Sequence, residues 1–221
     1  TIMAKRNILI ENERTVTKEN LLFEQVKQLL DDARTRIART VNTTIVNVYW
    51  QIGKYIVEYE QGGQGRAAFG KDIINKLSER LTKEYGKGFS PANIRYMRQF
   101  YQCFPFCHAL SDKLTWTHWR TLLKVQDETV RNFYLTECIS GNWSVRQLER
   151  QINTLFYERM LASKDQKTVR EEIQRSVPQA LEPKEIIRDP YILEFLGLSQ
   201  SEHFLESDLE QMIITKLQHF L

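Results

Sequence analysis

The sequence predicts a mostly α-helical protein, and two observations support this prediction. Among 221 residues there are only nine glycines and five prolines, the residues that most often interrupt regular structure. Apolar residues recur every three or four positions along most of the chain, which is the period of an amphipathic helix rather than of a strand. We therefore expect a multi-helix domain with few strands.

The composition is that of an ordinary water-soluble protein, with 42% hydrophobic and 27% charged residues. No apolar run is long enough for a membrane span or a signal peptide, so neither is expected. The three cysteines are an odd number, which argues against a disulfide framework and predicts a cytoplasmic location. A net charge of +3 is too small to indicate a nucleic-acid partner by itself.

The N-terminal third is expected to form long helices after a flexible leader over residues 1–17. From a predicted cap at Thr17, apolar residues follow one helical face as far as Val41. The same helical pattern continues over 43–60. The β-branched residues at its start make a strand the alternative prediction there. Glycines at 62–66 predict a loop, and another amphipathic helix is expected over 69–85.

The stretch YGKGFSPANIRYMRQFYQCFP at 85–105 predicts a turn followed by a well-defined helix. Ser90 is the expected N-cap, Pro91 occupies the first helical position, and Pro105 ends the helix. One side of this helix is apolar, and its other side carries Arg95 and Arg98. The helix over 69–85, the turn and this helix therefore have the parts of a helix-turn-helix unit.

Charge in this part of the chain is strongly one-sided. No Asp or Glu occurs between residues 85 and 111, and the local net charge from 85 to 126 is +5. Such an excess favours a phosphate-facing surface. The alternative is a plain bundle helix whose arginines are simply solvated.

Capping signals predict the helices that follow. Thr115 and Asp127 are the expected N-caps of two of them, and the second should end at the glycine of Ser140-Gly141. Ser144 and Gln147 form a capping box that opens a helix running to about residue 161. Three tryptophans in this part could stack on bases, but their apolar helical positions favour the core, namely Trp116, Trp119 and Trp143.

The C-terminal quarter changes in composition. Residues 163–188 are mostly polar and contain two prolines, which predicts a linker. Ser207 and Glu210 then form a second capping box before an apolar helical stripe over 209–221. No glycine or polar residue that would end the helix follows this stripe before residue 221, so we expect the natural chain to continue.

The sequence contains no complete active site. It has neither a G-x-S-x-G elbow nor a phosphate-binding glycine loop. Cys103, Cys107 and His108 have a metal-like spacing, but a structural zinc site requires four ligands, so no metal site is predicted. Two tripeptides imitate the metal-binding end of a nuclease signature but lie in the polar linker and are discarded, namely Asp165-Gln166-Lys167 and Glu182-Pro183-Lys184.

Several stretches together resemble the YhcG family of bacterial proteins. The strings YWQIGK, GKGFS, MRQFY and NWSVRQLERQI carry the resemblance, which extends in order over about residues 20–221. Members of this family have a helical N-terminal domain, regarded as a helix-turn-helix DNA-binding or interaction module. A C-terminal domain of the PD-(D/E)xK nuclease superfamily follows it.

The resemblance implies how the chain is divided. Residues 18–162 match the helical domain, 163–188 the linker, and 189–221 the entry and first helix of an incomplete α/β nuclease domain. Because the metal-binding strands are missing, the chain alone is expected to be inactive and to need no cofactor, whereas complete relatives would use Mg²⁺. Glu210 is the matching candidate for a helper at the metal site, or it is only the cap partner of Ser207.

The main hypothesis is a DNA-binding and assembly domain of a YhcG-like nuclease that contacts duplex phosphates. The alternative is a protein-interaction or dimerisation domain without direct nucleic-acid contact, in which the long helices at 18–60 or the stripe at 209–221 form a homodimer or hold a partner. The candidate nucleic-acid-binding residues are Arg66, Lys87, Ser90, Asn93, Arg95, Arg98 and Arg146.

Overall fold

The structure is a computed structural model that describes residues 2–62, 67–106, 113–163, 186 and 189–195, with the backbone alone for 2–17, 67–71, 87 and 193–195. The chain divides into two compact units, Thr1–Ala38 and Arg39–Leu221. The described helices are α1 (Ile2–Gly62), α2 (Ala67–Tyr85), α3 (Pro91–Cys103), α4 (Trp116–Leu122), α5 (Glu128–Gly141), α6 (Val145–Asn153), α7 (Phe156–Ala162) and α8 (Pro190–Phe195), with a 3₁₀ turn at Lys87–Phe89.

The prediction of a mostly α-helical protein is confirmed, since no strand occurs among the described residues. None of the helices in this described part is long and apolar enough to cross a bilayer.

The helix α1 is longer than the sequence pattern indicated. It begins at Ile2, so Thr17 lies inside the helix and is not its cap. The preceding residues include Lys, Arg and Glu, which are good helix formers. The strand considered at 43–48 is not formed, because Ile45 and Val46 are buried on the helix and tertiary packing outweighs the β preference of branched residues.

The turn before α3 forms as predicted. The backbone N–H of Asn93 donates to the Ser90 hydroxyl at 3.3 Å, and Pro91 follows the cap at the first helical position. The turn is also tied to α2, because the Ser78 hydroxyl donates to the Phe89 carbonyl at 2.7 Å. These bonds fix the direction in which α3 leaves the turn.

Aromatic side chains form the core of the second unit around Phe100. Its ring centroid lies 5.3 Å from that of Trp116 and 4.9 Å from that of Trp119, and both tryptophans are fully buried. Trp143 is 3% exposed. The prediction that these tryptophans belong to the core is confirmed, so they do not offer faces on which bases could stack.

The helices α1 and α3 approach closely at Gly53. A Cβ atom at this position would lie 2.0 Å from the Met97 carbonyl oxygen. Only a residue without a side chain allows the two backbones to lie this close. The absence of a side chain at Gly53 thereby allows α3 to pack closely against α1.

The later helices confirm their predicted beginnings but not all of their ends. Asp127 caps α5, whereas that helix includes Gly141 and ends at Asn142 in the left-handed conformation. Gly141 is instead needed because the Trp143 indole would lie 2.4 Å from a Cβ there. Both bonds of the Ser144–Gln147 capping box are present.

The single helix expected after Ser144 is in fact two helices. Leu155 adopts the left-handed conformation, with φ 52° and ψ 50°, and separates α6 from α7. The change of direction turns Phe156 into the core, where its ring lies 5.3 Å from that of Phe133.

Candidate nucleic-acid interface

The helix α3 presents one row of side chains to solvent. Ala92, Arg95 and Gln102 are exposed along this row, while Ile94 and Met97 on the other side are fully buried. Within the described ranges Arg95 has no ion pair. The free face of α3 is therefore centred on a single available guanidinium group.

Arg98 occupies a different environment from Arg95. Its Nη1 lies 3.0 Å from the Glu60 carboxylate, and the two side chains are 33% and 23% exposed. The contact joins α3 to α1. Because a carboxylate already compensates the charge of this guanidinium, a phosphate group would gain less from binding Arg98 than from binding Arg95.

The other basic side chains near α3 are also engaged. The Lys124 ammonium lies 3.8 Å from the Glu149 carboxylate. The Arg120 guanidinium lies 4.5 Å from the ring centroid of Tyr96 and 4.8 Å from that of Tyr191. Cation–π contacts of this kind hold an arginine in place. Much of the positive charge near α3 is therefore already in contact with carboxylate or aromatic side chains of the protein itself.

Two candidate residues at the start of α3 make hydrogen bonds within the fold. Ser90 accepts the capping bond described above, and Asn93 is only 2% exposed. The Asn93 amide donates to the Gly88 carbonyl at 2.7 Å and accepts from the Trp116 indole N–H at 2.8 Å. Asn93 therefore ties the turn to α4. Asn93 lies four residues before Met97 and therefore on the apolar stripe of α3. This spacing is the sequence signal that could have indicated that Asn93 is buried.

Arg146 is exposed near the start of α6, directly after the capping box. Among the described residues it has no ion pair. The amino end of a helix favours anions, but the Ser144 and Gln147 amides are bonded within the capping box, so the side chain of Arg146 is the group considered for a second phosphate contact.

The remaining candidates are less defined. Lys87 lies in the 3₁₀ turn, and only its backbone is described. Arg66 and Glu210 lie outside the described residues. Cys107, His108 and both nuclease-like tripeptides also lie outside them. Within the described ranges, no three His, Cys, Asp or Glu side chains are grouped closely enough to hold a metal ion.

His118 is a titratable residue whose role the sequence did not indicate. It is fully buried in α4, and burial lowers its pKa to about 4, although the bond to the Trp143 carbonyl and the charge of Asp189 act in the opposite direction. Its Nδ1 accepts from the Thr115 N–H at 3.1 Å, so the Nε2–H donates to Trp143 at 3.0 Å. The neutral ring links the start of α4 to the segment before α6.

An apolar groove lies between α1 and α2, with a volume of about 550 Å³. Two tyrosines that line it, Tyr59 and Tyr55, are 61% and 66% exposed. The lining residues are Ile52, Tyr55, Ile56, Tyr59, Ile73, Lys76, Leu77, Arg80 and Leu81.

Comparison with known proteins gives two matches. Residues 25–159, more than half of the chain, match the family described as "DUF1016 N-terminal domain". Over 244 residues the chain is 36% identical to "Putative nuclease YhcG" of Escherichia coli (strain K12). This alignment covers 95% of the chain but 64% of that relative, so the chain spans less than two thirds of the relative's length. No solved structure matches the chain.

Proposed function

Because this chain belongs to the YhcG family and its residues 25–159 form the DUF1016 N-terminal domain, we propose that it is the DNA-binding and assembly part of a YhcG-like nuclease. The name of the Escherichia coli relative supports a nucleic-acid partner, since the substrate of a nuclease is a nucleic acid. In this proposal α2, the turn and α3 act as a helix-turn-helix unit in which α3 lies against the duplex.

The observation that carries this proposal is the exposure of Arg95 on the free face of α3. A guanidinium group without a carboxylate partner can bind a phosphate without breaking an existing ion pair. Arg146, which is also exposed and lies near a helix amino end, would make a second contact. Lys87 and Arg66 remain candidate contacts, whereas Ser90, Asn93 and Arg98 are assigned to holding the turn and α3 in place.

The proposal is tested by the fluorescence anisotropy of a labelled DNA duplex titrated with the chain at several salt concentrations. If the protein contacts phosphates, the logarithm of the affinity should fall linearly with the logarithm of the salt concentration. Arg95→Ala should weaken this binding, whereas Gln102→Ala, a neutral change on the same exposed row, should leave it unaltered. Absence of binding at low salt would reject the DNA-binding function.

Cleavage is proposed only for full-length relatives such as the Escherichia coli protein, of which the chain covers 64% in the alignment above. By resemblance, such a relative would hydrolyse DNA with Mg²⁺, and the residue that matches Glu210 would assist its metal site. A cleavage assay of the chain and of a full-length relative, with Mg²⁺ and with a chelator, tests this division. Mg²⁺-dependent cleavage by the chain itself would contradict it.

A second candidate function is protein assembly without DNA contact. Large apolar side chains are exposed along the first half of α1, between residues 21 and 37, and this observation favours it. A domain that only assembles would show association of the protein with itself or a partner but no retention of duplex DNA at low salt.

A further inference from the structure

The N-terminal half of α1 carries an apolar stripe that is open to solvent. Its large apolar side chains are between 46% and 69% exposed, although apolar residues of this size usually lie in a core. We refer to these residues as the α1 stripe. They are Leu21, Leu22, Phe23, Val26, Leu29, Leu30 and Ile37.

Most of the stripe lies on one face of the helix. At 100° per residue, Leu22, Val26, Leu29, Leu30 and Ile37 fall within an arc of roughly 100°. This is the pattern of a helix that packs against another apolar surface.

Apart from Leu21, the opposite face of the same segment is polar, and its groups bond to one another. The Gln28 amide donates to the Asp32 carboxylate at 3.0 Å, and the Thr35 hydroxyl donates to the Asp31 carbonyl at 2.7 Å. Arg34 lies 4.0 Å from the Asp31 carboxylate. The polar face is thus suited to water, and the apolar face requires a partner.

The area of the stripe face is comparable to that of a small protein interface. The five side chains within this arc each expose on the order of 100 Å² and together present on the order of 500 Å², against about 800 Å² that a standard interface buries on each partner. Isolated helices are also marginal in water, so an exposed helix of this kind gains stability when its apolar face is covered.

The stripe is complementary to itself, as the interface of a twofold dimer must be. When two copies run in opposite directions, residues whose numbers add up to 59 lie opposite one another. Each such pair within the stripe face joins two apolar residues, namely Leu22 with Ile37, Val26 with Ala33, and Leu29 with Leu30.

Two features favour the antiparallel direction. An antiparallel pair brings Arg34 near Phe23, where a cation–π contact is favourable. The helix dipoles are also opposed in this arrangement.

We propose that residues 18–37 form an antiparallel helix pair with the same residues of a second copy, centred between Leu29 and Leu30. This inference rests on the assembly role proposed above and is independent of the DNA contact at Arg95. The pair makes the protein a twofold dimer, which would carry two copies of the α3 face.

The dimer is tested first by the mass of the 221-residue chain in sedimentation equilibrium, without DNA, over a wide range of concentration. The wild type should approach twice the chain mass as the concentration rises, and the double variant Val26→Asp with Leu29→Asp should remain monomeric. The matched control places the same residues on the polar face, as Gln28→Asp with Thr35→Asp, and should still dimerise. A monomeric wild type, or a dimer that survives the stripe variant, would overturn the proposal.

The antiparallel direction of the helix pair is tested by disulfide cross-linking of introduced cysteines. The wild type is the control, because it shows any cross-linking through the native cysteines. Leu29→Cys lies near the twofold axis and should link to its own copy, whereas Leu22→Cys should not. A mixture of Leu22→Cys and Ile37→Cys chains should form the mixed link. Efficient self-linking of Leu22→Cys would show a parallel pair and overturn the proposed arrangement.

The DNA-binding assay separates this inference from the proposed function. A monomeric wild type that still binds duplex DNA through Arg95 would reject the helix pair alone. A stripe-dependent dimer that does not bind DNA would reject the DNA contact alone.

Discussion

The Arg98 guanidinium on α3 lies 3.0 Å from the Glu60 carboxylate on α1. The two residues are 38 positions apart in the sequence, and about a third or less of each side chain is exposed. The pair therefore acts as a contact between two helices. It also separates two arginines that appear equivalent in the sequence, because Arg95, one turn earlier, has no carboxylate partner in the part of the chain that the structure describes.

We expect Arg98→Ala to lower the free energy of unfolding by about 1 kcal/mol, since a partly exposed ion pair is worth that much at most. Glu60→Ala should cost a similar amount, and the double variant should cost clearly less than the sum of the two. Urea denaturation measures all three. The control is Arg95→Ala, which should change stability by less than about 0.5 kcal/mol. Additive losses would show that the pair is not coupled.

Gly53→Ala is expected to destabilise the fold by about 3 kcal/mol. The added methyl group would meet the Met97 carbonyl oxygen at 2.0 Å and its carbon at 2.7 Å, so α1 and α3 would have to separate. Thermal or urea unfolding measures the loss.

Gly62→Ala is the matched control for this substitution. Among the described residues, no atom lies within 4 Å of a Cβ at Gly62, which ends α1. Alanine is the better helix former, so this variant should be unchanged or more stable by up to about 1 kcal/mol. Equal effects of the two substitutions would contradict the close packing at Gly53.

His118 predicts a loss of stability in acid. Its pKa is about 4 in the folded protein and 6.5 in an unfolded chain, so the unfolded state alone takes up a proton between these values. The free energy of unfolding should therefore be unaffected above about pH 6.5 and fall by about 3 kcal/mol as the pH falls towards 4.

The variant His118→Gln isolates this effect from the titration of carboxylates. It should be less stable than the wild type at pH 7.5, because it loses bonds to Thr115 and Trp143, but its stability should depend less on pH. Urea unfolding between pH 4.5 and 7.5 measures both slopes. Identical slopes would show that His118 is not protonated on unfolding in this range.

The parts of the fold that depend on local contacts were predictable from the sequence. The caps at Ser90, Asp127 and Ser144 each involve a bond to a residue three positions later, so the residue types are sufficient to indicate them. The break at Leu155 was not predictable, because it turns Phe156 towards Phe133, a residue more than twenty positions away.

The candidate interface shows the same division. The position of Arg95 on the outer face of α3 follows from helical periodicity and was predicted. The roles of Asn93 and Arg98 were not, because their partners Trp116 and Glu60 lie 23 and 38 residues away. The sequence therefore indicates which charges are present, and the fold decides which of them remain available.

The salt dependence of DNA binding should distinguish Arg95 from Arg98. Each phosphate contact contributes about 0.9 to the slope of log affinity against log salt. We expect Arg95→Ala to reduce the slope by about this amount, since its guanidinium has no competing carboxylate within the described residues. Arg98→Ala should leave the slope almost unchanged, because its charge is already compensated by Glu60. Anisotropy titrations at four or more salt concentrations measure these slopes, at a temperature where circular dichroism shows that all variants are folded. A larger reduction for Arg98→Ala than for Arg95→Ala would mean that the phosphate contact is made by Arg98 and lies on the α1 side of α3.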